Sequence, residues 1–271
     1  MSTHQPINSS TSQLLNYLLH LGDNALILSQ RNSEWCGHGP VLEQDIAITN
    51  ISLDLIGQAR NFYQYTAEII NQKASPEGGG LEGAATEDSL AYLRTEREFK
   101  NLLLVEQPNG DWAVTTLRQF FFSNYQYLLY RQLQQSNDAQ IAAIAEKALK
   151  EVTYHVRWSS EWVIRLGDGT EESRDRMLAA TDELWRFTGE IFIPVSYETD
   201  AVKNGYGTDV TLLQKEWMQK IKDVFEEATL PMPKENIYMQ RGGKDGIHTE
   251  HLGYILAEMQ YLQRVYPGCE W

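Results

Sequence analysis

Apolar residues recur at steps of three and four over most of the chain, and no set of alternating strands interrupts them. The pattern predicts helices near 13–31, 41–72, 87–106, 111–136, 138–166, 171–193, 210–228 and 249–265. Gly, Pro and Asn clusters punctuate them at 37–40, 108–110, 167–169 and 242–246. The stretch 73–86, with Pro76 and Gly78-Gly79-Gly80, reads as a flexible surface loop. Residues 194–209, rich in Tyr, Asp and Gly, read as a second irregular connection. Residues 1–12 read as a polar flexible tail without the basic-then-apolar order of a signal peptide. That leaves 13–271 as one helical domain with a loop insertion.

Two predicted helices are long. The segment 41–72 would extend about 48 Å at roughly 1.5 Å per residue. On 138–166, Ile141, Ala145, Ala148, Val152, His155, Ser159, Trp162 and Leu166 form one stripe at alternating steps of four and three. Such a stripe suits near-antiparallel packing. Long helices joined by a long first crossover suggest an all-α, ferritin-like four-helix bundle with additional flanking helices. Its core would be 41–72, 87–106, 111–136 and 138–166.

Charge and cysteine content narrow the function. The net charge of −14 argues against nucleic acid or an anionic membrane as partner. No run of about 18 apolar residues offers a membrane span. Cys36 and Cys269 alone, far apart, point to a reduced cytoplasmic setting.

A di-iron site in such a bundle needs one carboxylate from each of two helices and a Glu-x-x-His from each of the other two. No Glu here has a His three residues later; the only acid that does is Asp245, before His248, in a glycine-rich loop. Glu96 is followed at that spacing by Phe99, and Glu151 by Tyr154. The predicted third core helix has no acid between Trp112 and Asn137. These positions read as a degenerate metal site, because a ring cannot replace imidazole as a ligand. His155 follows Glu151 at i+4 and reads as its structural partner. Asp23, Glu43, Asp45 and Asp54 include candidate surviving ligands, or are acids tied to Arg and Lys. His248-Thr249-Glu250-His251 lacks zinc spacing and reads as a helix start capped by Thr249. Arg94, Arg97 and Lys100 line one helix side, either ion-paired with Glu96 and Glu98 or open to phosphate. Phe120-Phe121-Phe122 and neighbouring aromatics fill the core or a docking face.

Five segments together resemble one family: 21–24 (LGDN), 34–38 (EWCGH), 53–61 (LDLIGQARN), 102–110 (LLLVEQPNG) and 248–253 (HTEHLG). They are similar to the C subunits of phenylacetyl-CoA epoxidases, from about residue 13 to the terminus, with 74–86 least covered. The resemblance implies a ferritin-like, non-catalytic relative of the iron-bearing A subunit, held with it in a tight heterodimer. It further implies a small B subunit and a reductase carrying flavin and an iron–sulfur cluster. Such a complex uses NADPH and O₂ to place one oxygen atom on the ring of phenylacetyl-CoA. No cofactor would be bound by this chain, and no catalytic residue carries over. A share in holding the CoA portion is implied, with Glu98, Phe99, Lys100 and Asn101 as the candidate contacts. Two other readings are an autonomous metalloenzyme using Glu43, Glu96, Glu151 and His155, and a CoA-thioester-binding protein.

Overall fold

The fold was obtained as a computed structural model, which describes residues 9–74, 84–234 and 237–269. Among these residues there is no strand. The expectation for residues 1–8, and that of a flexible loop over 75–83, lie outside the described part. Helix α1 (Ser9–Ser33) starts inside the predicted tail, and α2 (Leu42–Ala74) runs two residues into the predicted loop. Helices α5 (Trp112–Leu133) and α6 (Ala139–Gly167) complete the four long elements.

The four long helices form two antiparallel hairpins. Ser29 Oγ donates to the Ser52 carbonyl at 2.8 Å and Tyr63 Oη to Asp23 at 2.5 Å, so α1 and α2 run in opposite senses. Helix α6 runs antiparallel to α2, with Gln58 opposite Glu151 and Gln44 opposite Trp158. Helix α1 meets α5 where Asn32 donates to Gln119 at 2.7 Å. Helices α2 and α5 therefore point the same way, and the chain must return along the bundle between them. Two hairpins joined by one long crossover is the ferritin-like arrangement.

Local chemistry sets the helix starts. Asp111 accepts from the backbone of Ala113 and Val114, and Asp138 from that of Gln140 and Ile141, which satisfies first-turn N–H groups. Arg118, fully buried, donates to the Gln107 and Pro108 carbonyls and to Asn109, fixing the turn before α5. Burial, with Arg31 nearby, pushes its guanidinium down to about 9. Helix α5 is buried on nearly all sides because α7 (Glu171–Leu184) and α9 (Gln214–Glu227) cover what α6 does not.

One predicted core helix does not exist as such. Over 87–106 the chain forms α3 (Glu87–Tyr92), a 3-10 turn at Glu96–Glu98, an extended stretch, and α4 (Leu103–Glu106). Its backbone donors are satisfied from outside: Lys100 N by Asp23 at 2.7 Å, Leu102 N by Asn24 at 2.9 Å, and Leu103 N by Glu190 at 2.9 Å. With those partners supplied, the segment has no need of helical hydrogen bonds. It is the crossover, and α1 takes the place in the bundle expected for it.

Smaller differences follow the same logic. The connection 194–209 contains a helix, α8 (Ser196–Lys203), packed on α1. The last predicted helix is two, α10 (Glu250–Met259) and α11 (Tyr261–Val265), because Gln260 turns to donate to the Ala91 and Arg94 carbonyls. Gly243 lets the C-terminal loop lie directly on the crossover, since a Cβ there would sit 2.2 Å from the Asn101 carbonyl oxygen. No helix among the described residues is long and apolar enough to cross a membrane.

Candidate functional site

In the bundle interior, α2, α5 and α6 bring together Gln58, Gln126, Tyr130 and Glu151. Gln126 Nε2 donates to Gln58 Oε1 at 2.9 Å, and Tyr130 Oη donates to the same oxygen at 3.3 Å. Gln58 Nε2 then donates to Glu151 Oε2 at 2.9 Å. The first three side chains are almost fully buried. The relay runs one way, from hydroxyl and amide donors through a neutral amide to a single carboxyl. Burial pushes the Tyr130 hydroxyl above its ordinary range, with the Glu151 charge adding to it.

Beside the relay, His155 Nε2 lies 3.0 Å from Asp54 Oδ2 of α2. This corrects the expected pairing of His155 with Glu151 along α6: each instead reaches across to α2, Glu151 to Gln58 and His155 to Asp54. The other ring nitrogen, Nδ1, is buried without a partner.

The fold family implies a di-iron centre at this level of the bundle, and the donor set here does not fit one. Facing Glu151, α2 supplies the Gln58 amide and α5 the Gln126 amide, neither a ligand of choice for iron, and the α2 carboxylate nearby, Asp54, is taken up by His155. The Gln58 amide N–H groups point at Glu151 and occupy an oxygen that a metal would need. On α1, every contact of Asp23 is to a donor of this chain: Arg94, Tyr63 and the Lys100 backbone. Among the described residues no group of three or more His, Cys, Asp or Glu side chains is placed to hold a metal ion.

Most of the other sequence candidates lie apart from the relay. Glu96 and Phe99 are not on a bundle helix, so the reading of them as second-helix ligand positions is corrected. Glu96 is exposed in the 3-10 turn, near Gly253 of α10. Phe99 is fully buried, 4.1 Å beneath the Arg94 guanidinium. Tyr154 is 38% exposed on the outside of α6, turned away from the relay. Glu43 lies exposed in the first turn of α2, so the set Glu43, Glu96, Glu151 and His155 is dispersed. Of the proposed CoA contacts, Asn101 is buried and donates to Glu106, as Phe99 is buried under Arg94. Glu98 and Lys100 reach the surface, but the Glu98 carboxyl accepts from Thr95 N and Oγ1.

A second polar concentration clamps the crossover; the sequence offered Asp23 as an acid tied to Arg or Lys, but not the ties of Glu198, Lys244, Glu106 and His248 around it. Arg94 meets Asp23 through two hydrogen bonds, at 2.5 and 3.0 Å. Lys244 meets Glu198 at 2.9 Å with both side chains 1% exposed, and also donates to the Ile191 and Ile193 carbonyls. Glu106 accepts from His248, Asn101 and Thr249. His248 faces Glu106 at 2.8 Å with one nitrogen and the Phe99 carbonyl at 3.0 Å with the other, so both nitrogens must donate. Burial alone would lower His248, but these acceptors outweigh it and hold it above its ordinary value. Burial also raises Glu190, although it accepts from Leu103 N and Gly242 N. The motifs at 21–24, 102–110 and 248–253 all belong to this clamp.

Comparison with known proteins agrees with this architecture. The family model of phenylacetic acid catabolic proteins matches residues 1–271. The C subunit of the 1,2-phenylacetyl-CoA epoxidase of Escherichia coli (strain K12) is 49% identical over 260 residues, covering 96% of this chain and all of that protein. With a ferritin-like bundle and a match across its whole length, this chain belongs to the family of phenylacetic acid catabolic proteins.

Proposed function

We propose that this chain is the non-catalytic C subunit of a di-iron phenylacetyl-CoA epoxidase acting in phenylacetate catabolism. In this reading it pairs as a heterodimer with the iron-bearing A subunit, and a small B subunit joins the assembly. Electrons come from NADPH through a reductase with flavin and an iron–sulfur cluster. The observation that carries the reading is the Gln126–Gln58–Glu151 relay: the groups that converge on Glu151 inside the bundle are neutral amides and a phenol rather than carboxylates and imidazoles. The identity to an epoxidase subunit supplies the substrate class. Direct contact with the CoA ester is assigned to the crossover surface around Glu98 and Lys100, the two of the four candidates that solvent reaches.

The test is to express the A subunit alone and together with this chain, then measure soluble yield, iron content and phenylacetyl-CoA turnover. Turnover should require both chains. It should survive Glu151→Gln in this chain, provided the complex stays assembled, and this chain alone should hold no stoichiometric iron after anaerobic loading. Two irons per chain, or an assembled, iron-loaded complex silenced by Glu151→Gln, would overturn the proposal.

A further inference from the structure

The first four turns of α2 carry an apolar stripe on the side facing solvent. Leu42, Ile46, Leu53 and Ile56 follow at steps of four, seven and three, and are between 45% and 72% exposed. Thr49 completes the alternation of four and three that a straight helix–helix seam requires. An amphipathic helix on the surface of a bundle should place charges here. Further along the same face the pattern returns to normal: Arg60 and Gln64 are polar and meet Glu87 of α3, which crosses α2 and ends the stripe. With Val41, the exposed apolar area is on the order of 500 Å², near the upper end of the roughly 300–600 Å² that monomers leave bare. It amounts to about two-thirds of the ~800 Å² that a stable interface takes from each partner.

The flanking charge identifies what fits the stripe. From Val41 to Ala59 the sequence has no Lys or Arg, while Glu43, Asp45 and Asp54 are all acidic; Glu34, in the turn before α2, is already paired with Arg31. A second copy of this chain laid antiparallel on the stripe would bring these acids against one another. We infer that the outer face of α2 from Leu42 to Ile56 is the docking surface for a different, helical subunit, one presenting an apolar helix stripe bordered by Lys and Arg. This rests on the reading of the chain as an epoxidase subunit and names the face through which it assembles.

The experiment measures association of the full-length chain with the A subunit of its own epoxidase, by co-elution and by titration. Leu53→Asp and Ile46→Asp should each weaken association at least tenfold while leaving the helical circular dichroism and melting temperature of this chain unchanged. Leu212→Asp, at an equally exposed apolar position in the 3-10 turn Val210–Leu213, should change nothing. Because the flanking charges are screened by salt, affinity should fall as ionic strength rises. If the wild-type chain binds and both α2 variants bind equally well, the assigned face is wrong and the subunit reading stands. If the wild-type chain does not bind the A subunit at all, the subunit reading itself fails. Self-association of the wild-type chain that Leu53→Asp abolishes would overturn the choice of partner in favour of a second copy.

Discussion

The bundle interior and the crossover clamp are both buried and polar, yet they are built from different chemistry. Inside the bundle, Gln58, Gln126 and Tyr130 hand hydrogen bonds along neutral groups to one carboxyl. At the clamp, Asp23 with Arg94, Glu198 with Lys244, and Glu106 with His248 are opposite charges at hydrogen-bond distance. A bundle that holds two metal ions has cations to balance its carboxylates, and without them each buried acid would need another partner. The interior amides of Gln58 and Gln126 carry no charge and need no such partner. The charges that remain buried sit where the chain leaves regular helix, and they hold irregular backbone in place. One region is thus a neutral relay ending on a single carboxyl, and the other is a set of ties that must stay intact for the fold to close.

The largest expected effect is therefore at the clamp. Asp23→Ala would leave the Arg94 guanidinium buried without its counter-charge and free Tyr63 and the Lys100 N–H together. Removing one partner of a buried ion pair costs about 3–5 kcal/mol. Urea unfolding followed by circular dichroism measures it. A loss below about 1 kcal/mol would mean the clamp is an ornament of the surface.

A smaller effect is expected in the interior. Gln58→Leu removes the acceptor that Gln126 and Tyr130 share and the amide donor to Glu151, leaving only the 3.2 Å bond from Gln126 to Tyr130, and should cost about 1–3 kcal/mol, the usual penalty for unsatisfied buried groups. Gln126→Leu in the same chain should cost little more, because the two amides serve each other and their effects are not additive. The contrast between regions breaks if Gln58→Leu proves as costly as Asp23→Ala.

Much of this was legible in the sequence, and what was not has a physical reason. The acid-free α5, the inward stripe of α6 and the missing Glu-x-x-His pairs can be read directly, because helical spacing projects them onto known faces. The break in 87–106 was hidden because the groups that make it favourable, Asp23, Asn24 and Glu190, lie about 80 residues away in either direction. A local signal for it did exist: Thr95 with Glu98 is a helix-start pattern inside the predicted helix. Gln58 and Gln126 escaped notice because glutamine is no metal ligand of choice, although each falls on the buried face of its helix. The ties of Lys244 and His248 could not be read at all, since an ionisable residue in a glycine-rich loop is ordinarily solvated.

The finest test of the comparison uses pH, because two buried histidines at the crossover, His248 and His20, which meets the Lys100 carbonyl at 2.7 Å, titrate with opposite sign. Burial holds His20 below its ordinary value, despite Glu198 3.7 Å away, so the folded state favours its neutral form. Its contribution is present above about pH 6.5, the unfolded value, and is lost as pH falls from there through the folded one. His248 is held above its ordinary value by Glu106 and the Phe99 carbonyl, which outweigh burial, so the folded state favours its charged form. Its contribution is complete below about pH 6.5 and is lost as pH rises through the folded value. Urea midpoints of the wild-type chain and of His248→Gln, measured from about pH 5.5 to 9, isolate the second histidine. Both proteins share the His20 response, so it cancels in the difference. The wild-type advantage should be greatest at the acidic end and shrink as pH rises. An advantage that stays constant across the range would mean that folding does not change the protonation of His248, and one that grows as pH rises would mean that the fold holds it neutral and that the tie between crossover and C-terminal helix is no more charged than the relay inside the bundle.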